Sequence, residues 1–310
     1  MLQLQSELVE LRRLLSVHTH PFHPDRRYLL LQPHSGAPGL HRVAGEPQPS
    51  PLHTFAAALC RTGGSMYPRP QPVGHFLRLA AVDEVVHEQD RVLMFEGRMR
   101  QVNNLRATGG AHFNQQTSAM SASQLLVLQC LRESFHERSV VGVAGGVACS
   151  SINTLYCFHG PRREHVESIC ANGLVAVSAR DAGFFGSGCY TTLNIEYAAR
   201  YARGDFDKGE PRPAPADGRF AVIMFAACVG MAYPITPEKD YSGAVPGVPA
   251  GHSDYFGRPL KPGFDGHCAC VSEGNGMQAV SREQCQYMEL VMSQQADLLP
   301  VAVLWFESGI

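Results

Sequence analysis

The sequence predicts an α+β fold for residues 121–310, on two observations. Short apolar runs with β-propensity recur at Leu155–Phe158, Phe220–Val229, Tyr287–Met292 and Val301–Phe306, and they read as buried strands. Between them lie segments whose apolar residues repeat at helical spacing and stop at a glycine: Val166, Ile169 and Cys170 ahead of Gly173, and Ile195, Ala198 and Ala199 ahead of Gly204. Asn194 stands where it can cap the second of these helices. No internal repeat interrupts the alternation.

The chain before residue 121 differs in character. Leu2, Leu4, Leu8, Leu11, Leu14 and Leu15 fall on one side of a helix, so residues 1–17 are expected to form an amphipathic helix that packs on its own domain or on a partner. Residues 18–120 are read as a small domain or arm of unknown function. Its first part is punctuated by Pro, Gly and His. His18, His20 and His23 lack a neighbouring Cys or carboxylate, and a proline breaks their spacing, so they are expected to be loop histidines and no metal is expected. Residues 75–89 are expected to be helical and residues 91–97 a strand. The polar, Gly- and Ser-containing stretch 109–123 is read as a boundary.

Composition bounds the function. A chain of 310 residues, 45% hydrophobic, can bury one large core or two ordinary ones. A net charge of −2 and a pI near 6.7 offer no general basic field for phosphates, so no nucleic-acid partner is expected. The ten cysteines are scattered through apolar runs without C-x-x-C spacing and read as reduced, buried thiols. The N-terminal stretch carries charges throughout, unlike a signal peptide, and no run of about 18 uncharged apolar residues exists to span a bilayer. A cytoplasmic or nuclear protein is expected, with no membrane partner.

The residues that point to chemistry are spread over four segments. The run Leu155–Phe158 delivers His159 and Gly160 at the end of a buried strand. Gly183–Tyr190 holds three glycines that allow close backbone approach to a ligand, closed by Tyr190. Tyr197 and Tyr201 stand one turn apart on the following helix. Glu289 sits in YMELVM, an apolar strand in which an unpaired buried carboxylate would be costly, so it is expected to face a cleft with a task.

Phe158-His159-Gly160, Gly186-x-Gly188-x-Tyr190, Tyr197-Ala198-x-x-Tyr201-Ala202, and Glu289 with Pro300 before a final strand together resemble the catalytic domain of the poly(ADP-ribose) polymerases, the diphtheria-toxin-like ADP-ribosyltransferases. The resemblance implies an ADP-ribosyltransferase fold of two packed, mainly antiparallel β-sheets with flanking helices forming an NAD cleft. It also implies transfer of ADP-ribose from NAD+, the co-substrate, to a protein side chain. The implied catalytic residues are His159, Tyr190 and Glu289. Tyr190 and Tyr201 would sandwich the cationic nicotinamide ring, and the Gly160 backbone would bind its carboxamide. His159 would bind the adenosine ribose, and Glu289 would bind the nicotinamide ribose and stabilise its developing cation. Phe185, Gly188 and Ala198 would also line the cofactor pocket.

Departures from the pattern shape the expectation. Ala198 replaces a serine that often binds the carboxamide, Pro161 replaces a small hydroxyl residue, and Thr191-Thr192 replace an aromatic-small pair. No helical regulatory domain is identified. Transfer of single ADP-ribose units is therefore expected, with a non-catalytic NAD- or ADP-ribose-binding module and an NAD glycohydrolase as alternatives. The segment 241–263, rich in Pro, Gly and Ser, is either a functional loop bordering the acceptor subsite, as the resemblance implies, or a disordered insertion.

Overall fold

The computed structural model describes residues 39–42, 77–108, 119–138, 140–144, 147–175, 183–206 and 217–307. The expected helix 1–17 and His18, His20 and His23 lie outside the described residues. In chain order the elements are β1 (Gly39–Arg42), β2 (Arg78–Val86), α1 (Gln89–Thr108), α2 (Ala122–Arg138), β3 (Val140–Ala144), β4 (Val147–His159), α3 (Val166–Asn172), β5 (Cys189–Thr192), α4 (Ile195–Arg203), β6 (Arg219–Val229), β7 (Ala232–Ile235), α5 (Pro237–Asp240), β8 (Gly266–Val271), β9 (Tyr287–Met292) and β10 (Leu298–Glu307).

The strands follow the order β1-β2-β10-β6-β4-β5-β9-β8-β7, with β3 paired to β4. One register pair, Phe158 with Thr192, joins β4 to β5 and divides the path into two halves. These halves share a core. Leu155, Cys157, Ile223, Phe225 and Val303 of one half cluster with Cys268, Cys270, Met288, Leu290 and Met292 of the other. Two mainly antiparallel layers with flanking helices result, the fold class expected from sequence; the β7–β8 pair is parallel.

β6 shows why its sequence is one apolar run. Ala221, Ile223, Phe225, Ala227 and Val229 enter the shared core. Phe220, Val222, Met224, Ala226 and Cys228 face the other way, into a second cluster with Phe95, Met99 and Val102 of α1 and Ile195, Ala198 and Ala199 of α4. A strand covered on both faces cannot alternate apolar with polar.

Residues 78–108 correct the sequence reading. The stretch expected to be helical is strand β2, paired with β10 through Val82–Leu304 and Ala81–Trp305, and the expected strand lies inside helix α1. Ala and Glu in RLAAVDEVV favour helix in isolation, but pairing to β10 overrides that weak preference, and Asp83 accepts a hydrogen bond from the Trp305 indole at 2.6 Å. The sheet and its core thus draw on residues before 121. Pro300 likewise lies within β10 and does not precede it. It sits at a register shift, where a residue without an N–H is tolerated.

A buried polar knot fixes α1 to the end of β9. Arg98 donates to Asp297 at 2.6 Å, and Asp297, fully buried, also accepts from Ser293 Oγ at 2.8 Å and the Gln294 N–H at 3.1 Å. Asp265 is a more distant partner of Arg98, at 3.6 Å.

The segment between β7 and β8 is held by specific hydrogen bonds. His267 ties it to the loop before β5. Its Nδ1–H donates to the Phe185 carbonyl at 2.6 Å and its Nε2 accepts from the Lys261 N–H at 2.8 Å. Ser253 Oγ donates to the Phe184 carbonyl at 2.7 Å, and the Ser187 N–H donates to Arg258 O at 2.7 Å. Both ring nitrogens of His267 are used only in the neutral form, and burial pushes its pKa down to about 4.

Two outcomes follow. Asp297→Ala leaves the buried Arg98 guanidinium without its close carboxylate, with Gln101, Ser293 and the more distant Asp265 as partners, and urea denaturation is expected to show a loss of about 3 kcal/mol. Between pH 6.5 and about 4 the unfolded chain protonates a histidine that the folded chain keeps neutral at position 267. Thermal stability is therefore expected to be independent of this group above pH 6.5 and to fall as pH drops toward 4, and His267→Gln is expected to flatten that fall. An unchanged pH profile in the variant would contradict the assignment.

Candidate active site

The junction of β4 and β5 is also where the candidate site lies. A cavity of about 570 Å³ is lined there by Phe158, His159 and Gly160 from the end of β4, Tyr190 to Thr192 of β5, Tyr197, Ala198 and Tyr201 of α4, and Glu289 of β9. This volume falls within the roughly 300–1,000 Å³ of small-molecule sites.

Antiparallel register places the strand residues. Thr192 pairs with both Phe158 and Glu289, and Tyr190 pairs with Val291, so Tyr190, Thr192 and Glu289 share one face. The His159 Nδ1–H donates to the Tyr190 carbonyl at 2.9 Å. Burial pushes the His159 pKa down to about 4, which leaves a neutral imidazole whose Nε2 is an acceptor at physiological pH. The Tyr190 hydroxyl is fixed as well. It accepts from the Phe185 N–H at 2.7 Å and donates to the Gly186 carbonyl at 2.8 Å.

Helix α4 is clamped to β9 before it begins. Thr192 Oγ1 donates to the Met288 carbonyl at 2.7 Å and accepts from the Asn194 N–H at 3.1 Å. Asn194 stands at the N-cap position but does not cap the helix; its Oδ1 accepts the Met288 N–H at 3.0 Å. The cap expected from sequence is thereby exchanged for a bond that sets the residue before Glu289 against α4. Gly204 does end the helix, in the left-handed region at φ 84°, where a side chain would be strained. Gly160 is required for space, since a β-carbon there would overlap the Ala198 carbonyl oxygen.

Glu289 is 7% exposed and accepts a hydrogen bond from the Tyr197 hydroxyl. Tyr201 is half-exposed at the cavity, packed edge-on against Tyr197 at 5.1 Å and tilted on Phe206 at 4.7 Å. The rim carries an ion pair, Arg200 with Glu273, and the Arg200 guanidinium lies 4.7 Å over the Phe206 ring.

Of the residues singled out from sequence, His159, Gly160, Tyr190, Ala198, Tyr201 and Glu289 meet at the cavity. Phe185 and Gly188 do not line it. Phe185 is buried among Tyr197, Tyr233 and Val291, while Phe184 takes the lining position; Gly188 lies with its backbone against Val291 and Met292 of β9. Adjacent aromatics on an irregular loop give no periodicity from which to tell the inward ring from the outward one. Sequence reasoning also missed the 273–277 segment, from which Glu273, Gly276 and Met277 line the cavity, whereas no residue of 241–263 does. Met277 is the one non-glycine residue at positive φ among the described residues, at 62°, a conformation costing about 1–3 kcal/mol that tends to cluster at functional sites. Nothing in the sequence announces it.

Comparison with known proteins falls on the same residues. The family model of the poly(ADP-ribose) polymerase catalytic domain matches residues 114–235, a stretch containing His159, Tyr190, Ala198 and Tyr201 but ending before Glu289. No curated protein matches the chain. Among solved structures, one titled as the crystal structure of the TASOR pseudo-PARP domain is similar at 14% identity, over 88% of this chain and 100% of that one, with a TM-score of 0.44. Residues 114–235 of this chain are thus similar to the poly(ADP-ribose) polymerase catalytic domain.

Proposed function

We propose that this protein transfers ADP-ribose from NAD+ to a protein side chain, one unit at a time, with release of nicotinamide. One observation carries the reading: His159, Tyr190, Tyr201 and Glu289, from four separate elements, line a single cavity. The transferase unit in this reading includes β2 and α1 as well as residues 121–310, because they complete the sheet and core that hold these elements.

Each wall has a task. Tyr190 and Tyr201 offer aromatic rings to a flat pyridinium cation, held by stacking and by attraction to the ring quadrupole. Neutral His159 accepts a hydrogen bond at Nε2 from a hydroxyl of the adenosine ribose, and the Gly160 backbone meets the carboxamide. Glu289 accepts from the 2′-hydroxyl of the nicotinamide ribose and places negative charge where the sugar becomes an oxocarbenium-like cation. The C1′–N bond breaks with its electron pair leaving on nicotinamide, which becomes neutral. A lone pair of the acceptor forms the new bond to C1′, and the acceptor's proton passes to solvent or a nearby base.

A second reading, an NAD-binding module without turnover, is favoured by Ala198. Buried beside Gly160, it presents a methyl group and no hydroxyl to a carboxamide.

Labelled NAD+ separates the two. The full chain is expected to release nicotinamide and to label a protein acceptor, and Glu289→Ala is expected to lower both by about 100-fold or more, the size of effect that follows loss of one charge-stabilising group. Equal labelling by the variant would refute the catalytic assignment. Binding without nicotinamide release by the wild type would favour the second reading. Gly160→Ala, which forces α4 away from the end of β4, is expected to weaken NAD+ binding by about tenfold or more, the effect of roughly 1.4 kcal/mol, as read by calorimetry; unchanged affinity would remove Gly160 from the site.

A further inference from the structure

We infer that Tyr197 is a positioning residue for Glu289: its hydroxyl orients the carboxylate and links it to the ring of Tyr201. This rests on the reading of the cavity as an NAD+ site and deepens it.

Tyr197 is 1% exposed, and its hydroxyl donates to Glu289 Oε1. A phenol has one proton, so its contact with the Tyr201 hydroxyl, at 3.2 Å, has Tyr201 as the donor. The bonds therefore run in one direction, from Tyr201 to Tyr197 to Glu289. Burial and the adjacent carboxylate push the Tyr197 pKa far upward, so the phenol stays protonated and remains a donor.

The ring is fixed independently of the hydroxyl. Tyr197 stacks on Tyr287 with centroids 4.6 Å apart and planes 3° from parallel, and Tyr287 lies two residues before Glu289 on β9. The Tyr287 hydroxyl in turn donates to Glu273 at 2.8 Å. With the Asn194–Met288 and Thr192–Met288 bonds, this holds α4 and β9 in one register around the carboxylate. A buried carboxylate needs donors, and Tyr197 supplies one at Oε1. A pyridinium ring seated on Tyr201 is thereby coupled to the group that braces the neighbouring sugar.

The test uses the full chain as wild type, Tyr197→Phe, Glu289→Ala and the double variant. Tyr197→Phe keeps the stacked ring and removes only the hydroxyl. It is expected to lower kcat for nicotinamide release by about tenfold to a hundredfold, the effect of losing a hydrogen bond to a charged group, with KM for NAD+ within about twofold. In the Glu289→Ala background it is expected to add nothing. Wild-type kcat in Tyr197→Phe, a raised KM with kcat intact, or the same loss in both backgrounds would overturn the proposal. Should the wild type release no nicotinamide, the transferase reading fails by itself, and the pair is then judged by a double-mutant cycle on unfolding free energy. Coupling between Tyr197→Phe and Glu289→Ala supports the positioning role, and additive effects overturn it.

Discussion

The structure depends on a narrow join. Two layers of strands close over one core, and a single cross-strand pair, Phe158 with Thr192, carries the hydrogen-bonded path from one to the other. The cavity opens at this join, lined by both members of the pair. Thr192 is accordingly more than a spacer. Its backbone pairs with β4 and β9, and its hydroxyl holds the start of α4 against Met288.

Burial explains why polar groups near the seam keep one protonation state. His159 and His267 both lie where charging is costly, and each spends its Nδ1–H on a carbonyl, which fixes the tautomer. The first presents an acceptor at the cavity. The second joins the loop before β5, which holds the Tyr190 hydroxyl, to the segment between β7 and β8. Tyr190 itself is tethered through its hydroxyl, so its position depends on a loop anchored by residues more than 60 positions away, Ser253, Arg258 and His267.

Much of the site was legible in the sequence because it consists of strand ends and one amphipathic helix. His159 follows an apolar run, Glu289 interrupts one, and Tyr197 and Tyr201 keep helical spacing; local pattern marked these positions, and the resemblance joined them into one candidate site. The two-layer fold class was reached by resemblance and agrees with the shared core. What the sequence did not disclose depends on contacts distant along the chain. Residues 78–86 look helical until β10 is there to pair with them, and Asn194 looks like a cap until Met288 offers a second donor. Phe184 and Phe185 are chemically alike and differ only in which side of the loop they face. The positive φ of Met277 and the Tyr197–Glu289 bond exist only once the fold is closed.

The central claim is that one cavity grips nicotinamide between tyrosines while Glu289 meets the adjoining sugar. A crystal structure with a carba analogue of NAD+, which keeps both rings but cannot be cleaved, measures this directly. The account predicts the pyridinium ring against Tyr190 and Tyr201, with a Glu289 oxygen within hydrogen-bond distance, about 2.5–3.2 Å, of the 2′-hydroxyl. An analogue bound elsewhere, or seated in the cavity with its ribose turned away from Glu289, would contradict it.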